Sequence, residues 1–231
     1  MSGAVGSVAA LAKHLVRIEV GHVVSSSSMV SRAYLTDDCV GVVVDAGERG
    51  LWLVSSLPAL APAPDGLRER AADKGGIPVE HGTPRLAKVT LRWADASVDL
   101  ANPTVVGSGG VGVVSLAVPA SFGKQVRSGE GPRPVDLSAT TAPGLGERVA
   151  IPVLSGAGAV VLWSRVASDN GYDGHSDGVA LDTAIPAELA GSPAFVLSGP
   201  TPSFCGLVQP VDALSSVLRP PNALLAAISA G

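Results

Sequence analysis

Aromatic side chains make up only 3% of this 231-residue chain and charged ones only 16%. The charged fraction falls well short of the quarter or so usual in soluble domains. The net charge of −4 is spread along the chain. A nucleic-acid footprint needs clustered basic charge interleaved with stacking aromatics, so no nucleic-acid contact is expected. Lys13, His14 and Arg17 form one small basic group, which a solvated edge accounts for equally well. The two cysteines, Cys39 and Cys205, are too few for a disulfide framework and lack metal-ligand spacing. They read as buried thiols in a reducing compartment.

The chain has only four histidines: His14, His22, His81 and His175. His175 lies near Asp173 and Asp177, but the glycines around it indicate an exposed loop. Neither a metal nor a cofactor is expected. No apolar run reaches the roughly 18–20 residues of a membrane span. Residues 1–12 are small and apolar but lack the basic start of a secretory signal. The expectation is an intracellular protein, cytoplasmic or organellar, that is not secreted.

What the chain does have is 46% hydrophobic residues, arranged as short runs broken by turn residues. Ala9 to Val20 begins as a short helix and ends as a strand. Cys39 to Asp45 is a continuous β-branched run, the mark of a buried strand. A glycine-bounded turn and Leu51 to Ser55 complete a hairpin. Ala61 to Arg85 reads as a polar surface loop. Leu86 to Trp93 and Gly110 to Val118 are further strands, and Gly123 to Gly144 reads as a connection between two halves. Arg148–Val153, Ala159–Val166, Gly178–Asp182, Ala194–Leu197 and Gly206–Val211 are strand-like and evenly spaced, which favours a barrel or sandwich over a βαβ fold. Pro221 to Ala230 closes the chain as a short helix with proline near its start. The run Gly107-Ser108-Gly109-Gly110-Val111-Gly112 looks like a dinucleotide loop, but a strand follows it rather than the helix such a loop requires.

Leu181 to Val196, LDTAIPAELAGSPAFV, is the most specific stretch. It resembles the nucleophile region of trypsin-like serine proteases of the HtrA kind. Asp182, Ala184, Ile185, Gly191, Ser192, Pro193, Ala194 and Phe195 stand in register with that pattern. Weaker strand matches run through Leu15–Val20, Val40–Ser55, Gly146–Val149 and Cys205–Val208. The resemblance implies an all-β fold: a double six-stranded antiparallel β-barrel with a short C-terminal helix. It implies a single domain over 1–231, with an N-terminal barrel over 1–122, a linker over 123–145 and a C-terminal barrel with its closing helix over 146–231. It stops short of any PDZ domain.

Peptide hydrolysis in that family needs a serine oxygen, a histidine base, a carboxylate to orient it, and N–H groups aimed at the oxyanion. The resemblance puts Ala190 at the nucleophile position and Glu188 at the oxyanion-turn position that usually holds glycine. The histidine position falls on Pro58 or, shifted by one, on Leu57. The carboxylate position falls on Gly110 or, with another gap, on Asp99. Asp182, Gly191, Ser192 and Pro193 are the retained motif. The expectation is therefore that the chain is not an enzyme. It is read as a pseudoprotease acting as a protein-binding or structural subunit of a larger assembly, with protein partners. The alternative is a hydrolase with a relocated nucleophile, Ser192 or Cys205.

Overall fold

In the computed structural model, residues 9–26, 31–94, 96–100, 103–108, 110–116, 120–140, 142–155, 158–168, 178–197, 202–211 and 215–230 are described. The N-terminal half is one sheet built from β1 (Leu15–Ser25), β2 (Arg32–Asp45), β3 (Leu51–Ser56), β4 (Thr83–Trp93), β5 (Ala96–Leu100), β6 (Val105–Ser108) and β7 (Val111–Ser115). Its strand order is β5-β4-β1-β2-β3-β7-β6, with short β8 (Val135–Asp136) added in parallel to β2. The C-terminal half is a closed antiparallel barrel of β9 (Arg148–Ser155), β10 (Gly158–Ser168), β11 (Val179–Leu181), β12 (Pro193–Val196), β13 (Ser203–Pro210) and β14 (Ser216–Arg219). The helix Pro221–Ala230 follows it. The all-β expectation holds. The six-stranded barrel forms in the C-terminal half, whereas the N-terminal half is a seven-strand path whose end strands β5 and β6 each have one ladder partner among the described residues.

The β-branched run in β2 has a direct physical cause. Cys39 and Val43 enter one apolar cluster, lined also by Val16, Ile18, Leu53, Leu91 and Phe122. Val42 and Val44 enter a second, with Leu11, Val54, Phe195, Phe204 and Leu224. Successive residues of a strand point to opposite faces, so a strand buried on both sides needs apolar residues throughout. The second cluster takes residues from both halves of the chain and from the helix Pro221–Ala230. A third fills the barrel interior, with Val149, Ile151, Cys205 and Leu218.

One segment departs from expectation. The stretch 61–85 is not a loop: the helix Pro64–Gly75 occupies most of it. Pro64 sits in its first turn with Asp65 beside it, and Gly76 closes it in the left-handed conformation at φ 62°. Leu67 and Ala71, one turn apart, cover a small satellite core of Val24, Ala33, Leu35 and Ile77. The stretch 123–145 also carries structure: the end of the helix Ala120–Ser128, then β8.

His22 lies buried under this helix, its Nδ1 without a hydrogen-bond partner among the described residues. Burial lowers its pKa below the ordinary 6.5, opposed by Asp37, while Arg70 lowers it further. Arg70 and Asp37 are themselves ion-paired at 2.8 Å. His14 is held by the Arg133 carbonyl at 2.9 Å and packs against Phe195, and burial lowers its pKa too. The unfolded chain therefore takes up these protons first. Stability is full above pH 6.5 and is lost as pH falls from there through the lower folded-state values. Thermal melts from pH 8 to pH 5 will show a falling midpoint, and a His14→Gln/His22→Gln variant will flatten that slope.

Candidate functional site

The candidate site forms where the end of β3 meets the barrel. Ser55 is fully buried and its Oγ donates to the Val40 carbonyl at 2.6 Å. Ser56 then leads into the helical turn Leu57–Leu60, with Pro58 exposed in that first turn. The Leu57 N–H donates to the Gly110 carbonyl at 2.8 Å, and the Leu57 side chain lies against Gly107 and Gly112. Two of the sequence-derived positions, Leu57 and Gly110, are therefore brought together. Asp99, the alternative to Gly110, lies on the end strand β5 instead. Its carboxylate accepts from Thr90 Oγ1 at 2.7 Å and pairs with Lys88 at 3.0 Å.

The third position arrives from the barrel. Gly191 adopts φ 87°, and a Cβ there would lie 2.6 Å from the Ser56 nitrogen and 2.8 Å from the Val40 carbonyl. Ala190 thus stands beside the start of the Leu57 turn. It ends a short 3-10 turn, Ala187–Leu189, that packs against β2 and β13. The backbone of this turn closes on itself. The Leu189 N–H donates to the Pro186 carbonyl at 2.9 Å, the Ala190 N–H to Ala187 at 3.1 Å, and the Ser192 N–H to Leu189 at 3.0 Å. Glu188 is exposed on the outside of the turn. Asp182 stands apart on the barrel surface, where its Oδ1 accepts from Arg165 N, Ser164 Oγ and Thr183 Oγ1. The Arg165 backbone N–H leads in holding its pKa below the usual carboxylate value.

Sequence reasoning missed the wall behind Gly110. Gly110 has φ 82°, and a Cβ there would meet the Gln209 amide, 2.5 Å from Oε1 and 2.7 Å from Nε2. Gln209 Oε1 in turn accepts from the nearly buried Arg219 Nε at 2.7 Å. A side chain at position 110 would therefore strain the backbone and displace the Gln209 amide from its place beside Arg219. The available signal was Arg219 itself, a charged residue ending an apolar strand next to the closing helix.

Neither relocated nucleophile has access to a substrate. Ser192 is fully buried, and among the described residues its Oγ has no hydrogen-bond partner. Cys205 is fully buried inside the barrel, and burial pushes its thiol far up from the ordinary range. Cys39 is also buried, and its thiol is pushed up to about 12. The thiolate is the reactive form, so iodoacetamide at pH 8 will leave both cysteines unmodified in the native protein and alkylate both in guanidinium, as read by intact mass. His175, Asp173 and Asp177 lie outside the described residues.

No protein-family model matches the chain, and no curated protein matches its sequence. Solved structures do match. The M. tuberculosis protease Rv3671c in its active form aligns over 97% of this chain and 83% of its own, at TM-score 0.55 and 14% identity. The MamO protease domain of Magnetospirillum magneticum aligns over 94% and 96%, at TM-score 0.53 and 11% identity. The thermostable serine protease AL20 of an extremophilic microorganism aligns over 90% and 91%, at TM-score 0.54 and 9% identity.

The chain has the chymotrypsin-like fold of these trypsin-like serine proteases. The expectation that it is not an enzyme is corrected by them: the structures that share its fold are proteases, one in an active form, and such a fold gives no ground for excluding catalysis. No helix among the described residues is long and apolar enough to cross a membrane.

Proposed function

We propose that this chymotrypsin-fold chain binds an extended polypeptide at the junction of its sheet and barrel, and that the HtrA-like motif from Asp182 to Pro193 serves there as scaffold. One observation carries the reading. The Leu57 N–H meets the Gly110 carbonyl and Gly191, next to Ala190, packs on Ser56, so the segments that the resemblance aligns with the triad (Leu57 or Pro58, Gly110 and Ala190) lie near one another with only apolar side chains or bare backbone at those positions. Around them the positive-φ glycine and its packing on Ser55, Ser56 and Val40 are kept. Apolar side chains beside a polar Gln209–Arg219 wall suit a peptide held by its backbone, with alternate side chains in shallow pockets.

The test uses fluorescein-labelled casein, with binding read by anisotropy. Saturable binding that weakens when Pro58, exposed at the rim, is replaced by tryptophan supports the reading. Absence of binding overturns it. Acid-soluble fluorescence in the same samples shows whether bound casein is also cut. Ala190→Ser will leave that cleavage signal at the value of the unsubstituted chain, because the positions that the resemblance aligns with the base and its carboxylate, Leu57 or Pro58 and Gly110, carry no side chain that takes a proton.

A further inference from the structure

A second feature lies on the outer face of the C-terminal barrel, and none of Leu57, Gly110, Ala190 and Gln209 lines it. Arg148 of β9 and Arg165 of β10 are ladder partners. Residues directly opposite each other leave the same face of the sheet, and like charges in such pairs repel. Neither guanidinium forms an ion pair among the described residues. The neighbouring carboxylate, Asp182, directs its Oδ1 to the Arg165 backbone N–H, Ser164 and Thr183. The Arg165 side chain reaches the Gly146 carbonyl only at 3.4 Å.

The aromatic neighbour is equally placed. Trp163 precedes Arg165 by two residues on β10, so both point to the same side. Trp163 is 45% exposed, and Arg148 lies over its ring with the guanidinium carbon 4.4 Å from the ring centroid. Ser164, Thr183 and Asp182 complete a shallow depression of about 360 Å³ around the two arginines and the tryptophan.

We propose that this depression docks an acidic segment of a partner polypeptide. A glutamate or aspartate carboxylate seats between Arg148 and Arg165, and an adjacent apolar side chain rests on Trp163. The guanidinium fork matches a planar carboxylate in a way a point charge does not. A carboxylate there is attracted by both guanidiniums and opposed only by Asp182, whose Oδ1 is already held by Arg165 N, Ser164 and Thr183. The exposed ring supplies apolar area that an ion alone would not use.

The experiment titrates the full chain with a hexapeptide of alternating leucine and glutamate and follows tryptophan emission. The peptide with glutamine in place of glutamate is the control, and inorganic phosphate at matched ionic strength is the second probe. The expected result is a saturable change that Trp163→Phe removes. Arg148→Ser and Arg165→Ser should each weaken binding by at least about tenfold, as losing a charge-assisted hydrogen bond would. All three side chains are exposed, so these variants keep the fold, as circular dichroism will verify.

Unchanged affinity in the Arg148→Ser/Arg165→Ser variant overturns the proposal. So does an equal response to the glutamine peptide or to phosphate, which would make the site apolar only or a general anion trap. A tryptophan change that tracks self-association in sedimentation overturns it as well, because it would assign the face to a second copy of this chain.

Discussion

Gly191→Ala is expected to cost this protein a large part of its stability. The residue sits at φ 87°, where a side chain costs roughly 1–2 kcal/mol. Its added methyl would also collide with Ser55 Oγ, the Ser56 nitrogen and the Val40 carbonyl. Two of those three atoms belong to the backbone of central sheet strands and cannot move without breaking ladder bonds. Overpacking of that kind adds roughly 1–3 kcal/mol. The sum is about 2–5 kcal/mol, which for a chain of this size lowers the melting temperature by roughly 4–20 °C. The neighbouring substitution is the control. Ser192→Ala removes a buried hydroxyl that has no partner among the described residues, so it should be neutral or slightly stabilising. Calorimetry on the two variants will separate a packing constraint at 191 from any general intolerance of the turn. A Gly191→Ala midpoint within a degree of the parent would overturn the packing constraint at 191.

The second large effect is expected at Phe195. This side chain is 1% exposed in the cluster that joins the two halves. Its ring lies 5.2 Å from His14 and 5.8 Å from Phe204. Phe195→Ala removes a full ring from a site walled by β-strands on several sides, where little collapse is possible. A loss of about 3–5 kcal/mol follows, and with it roughly 6–20 °C of melting temperature. Because His14 packs on the same ring, the variant should also relieve the burial that lowers the His14 pKa. The histidine titration followed by NMR should move back toward 6.5. Unfolding that splits into two transitions in this variant would identify Phe195 as the residue coupling sheet to barrel.

Much of the fold was legible because it is written in patterns only two to four residues deep. The continuous run Cys39 to Val44 announces a strand buried on both faces, and Asp182 to Phe195 carries its turn and its glycine at fixed spacing. The helix Pro64–Gly75 was not legible. Its apolar stripe is only Leu67 and Ala71 wide, and the surface it covers is assembled from Val24, Ala33 and Leu35, far away in the chain. A helix that exists to cap a distant hairpin leaves little periodicity of its own, although Pro64, Asp65 and Gly76 were punctuation that could have been read. At the site, the meeting of the segments that hold Leu57 and Gly110 was legible. What closed them off was not: the Ala190 amide turned back on Ala187, and the Gln209 side chain filling the space beside Gly110. Both are contacts made by the folded chain and have no local spacing.

The helix Pro221–Ala230 carries one more consequence. It packs on β6 and β7, and Leu224, Ala227 and Ile228 share a cluster with Leu11 and Val42 of the N-terminal half. During synthesis, therefore, the first half of the chain emerges from the ribosome well before the segment that shields its outer face. That sheet must wait, partly uncovered, through the making of the whole barrel. A nascent chain stalled before residue 221 should hold the sheet open to chaperones and proteases, and release of the last turn of helix should end that exposure.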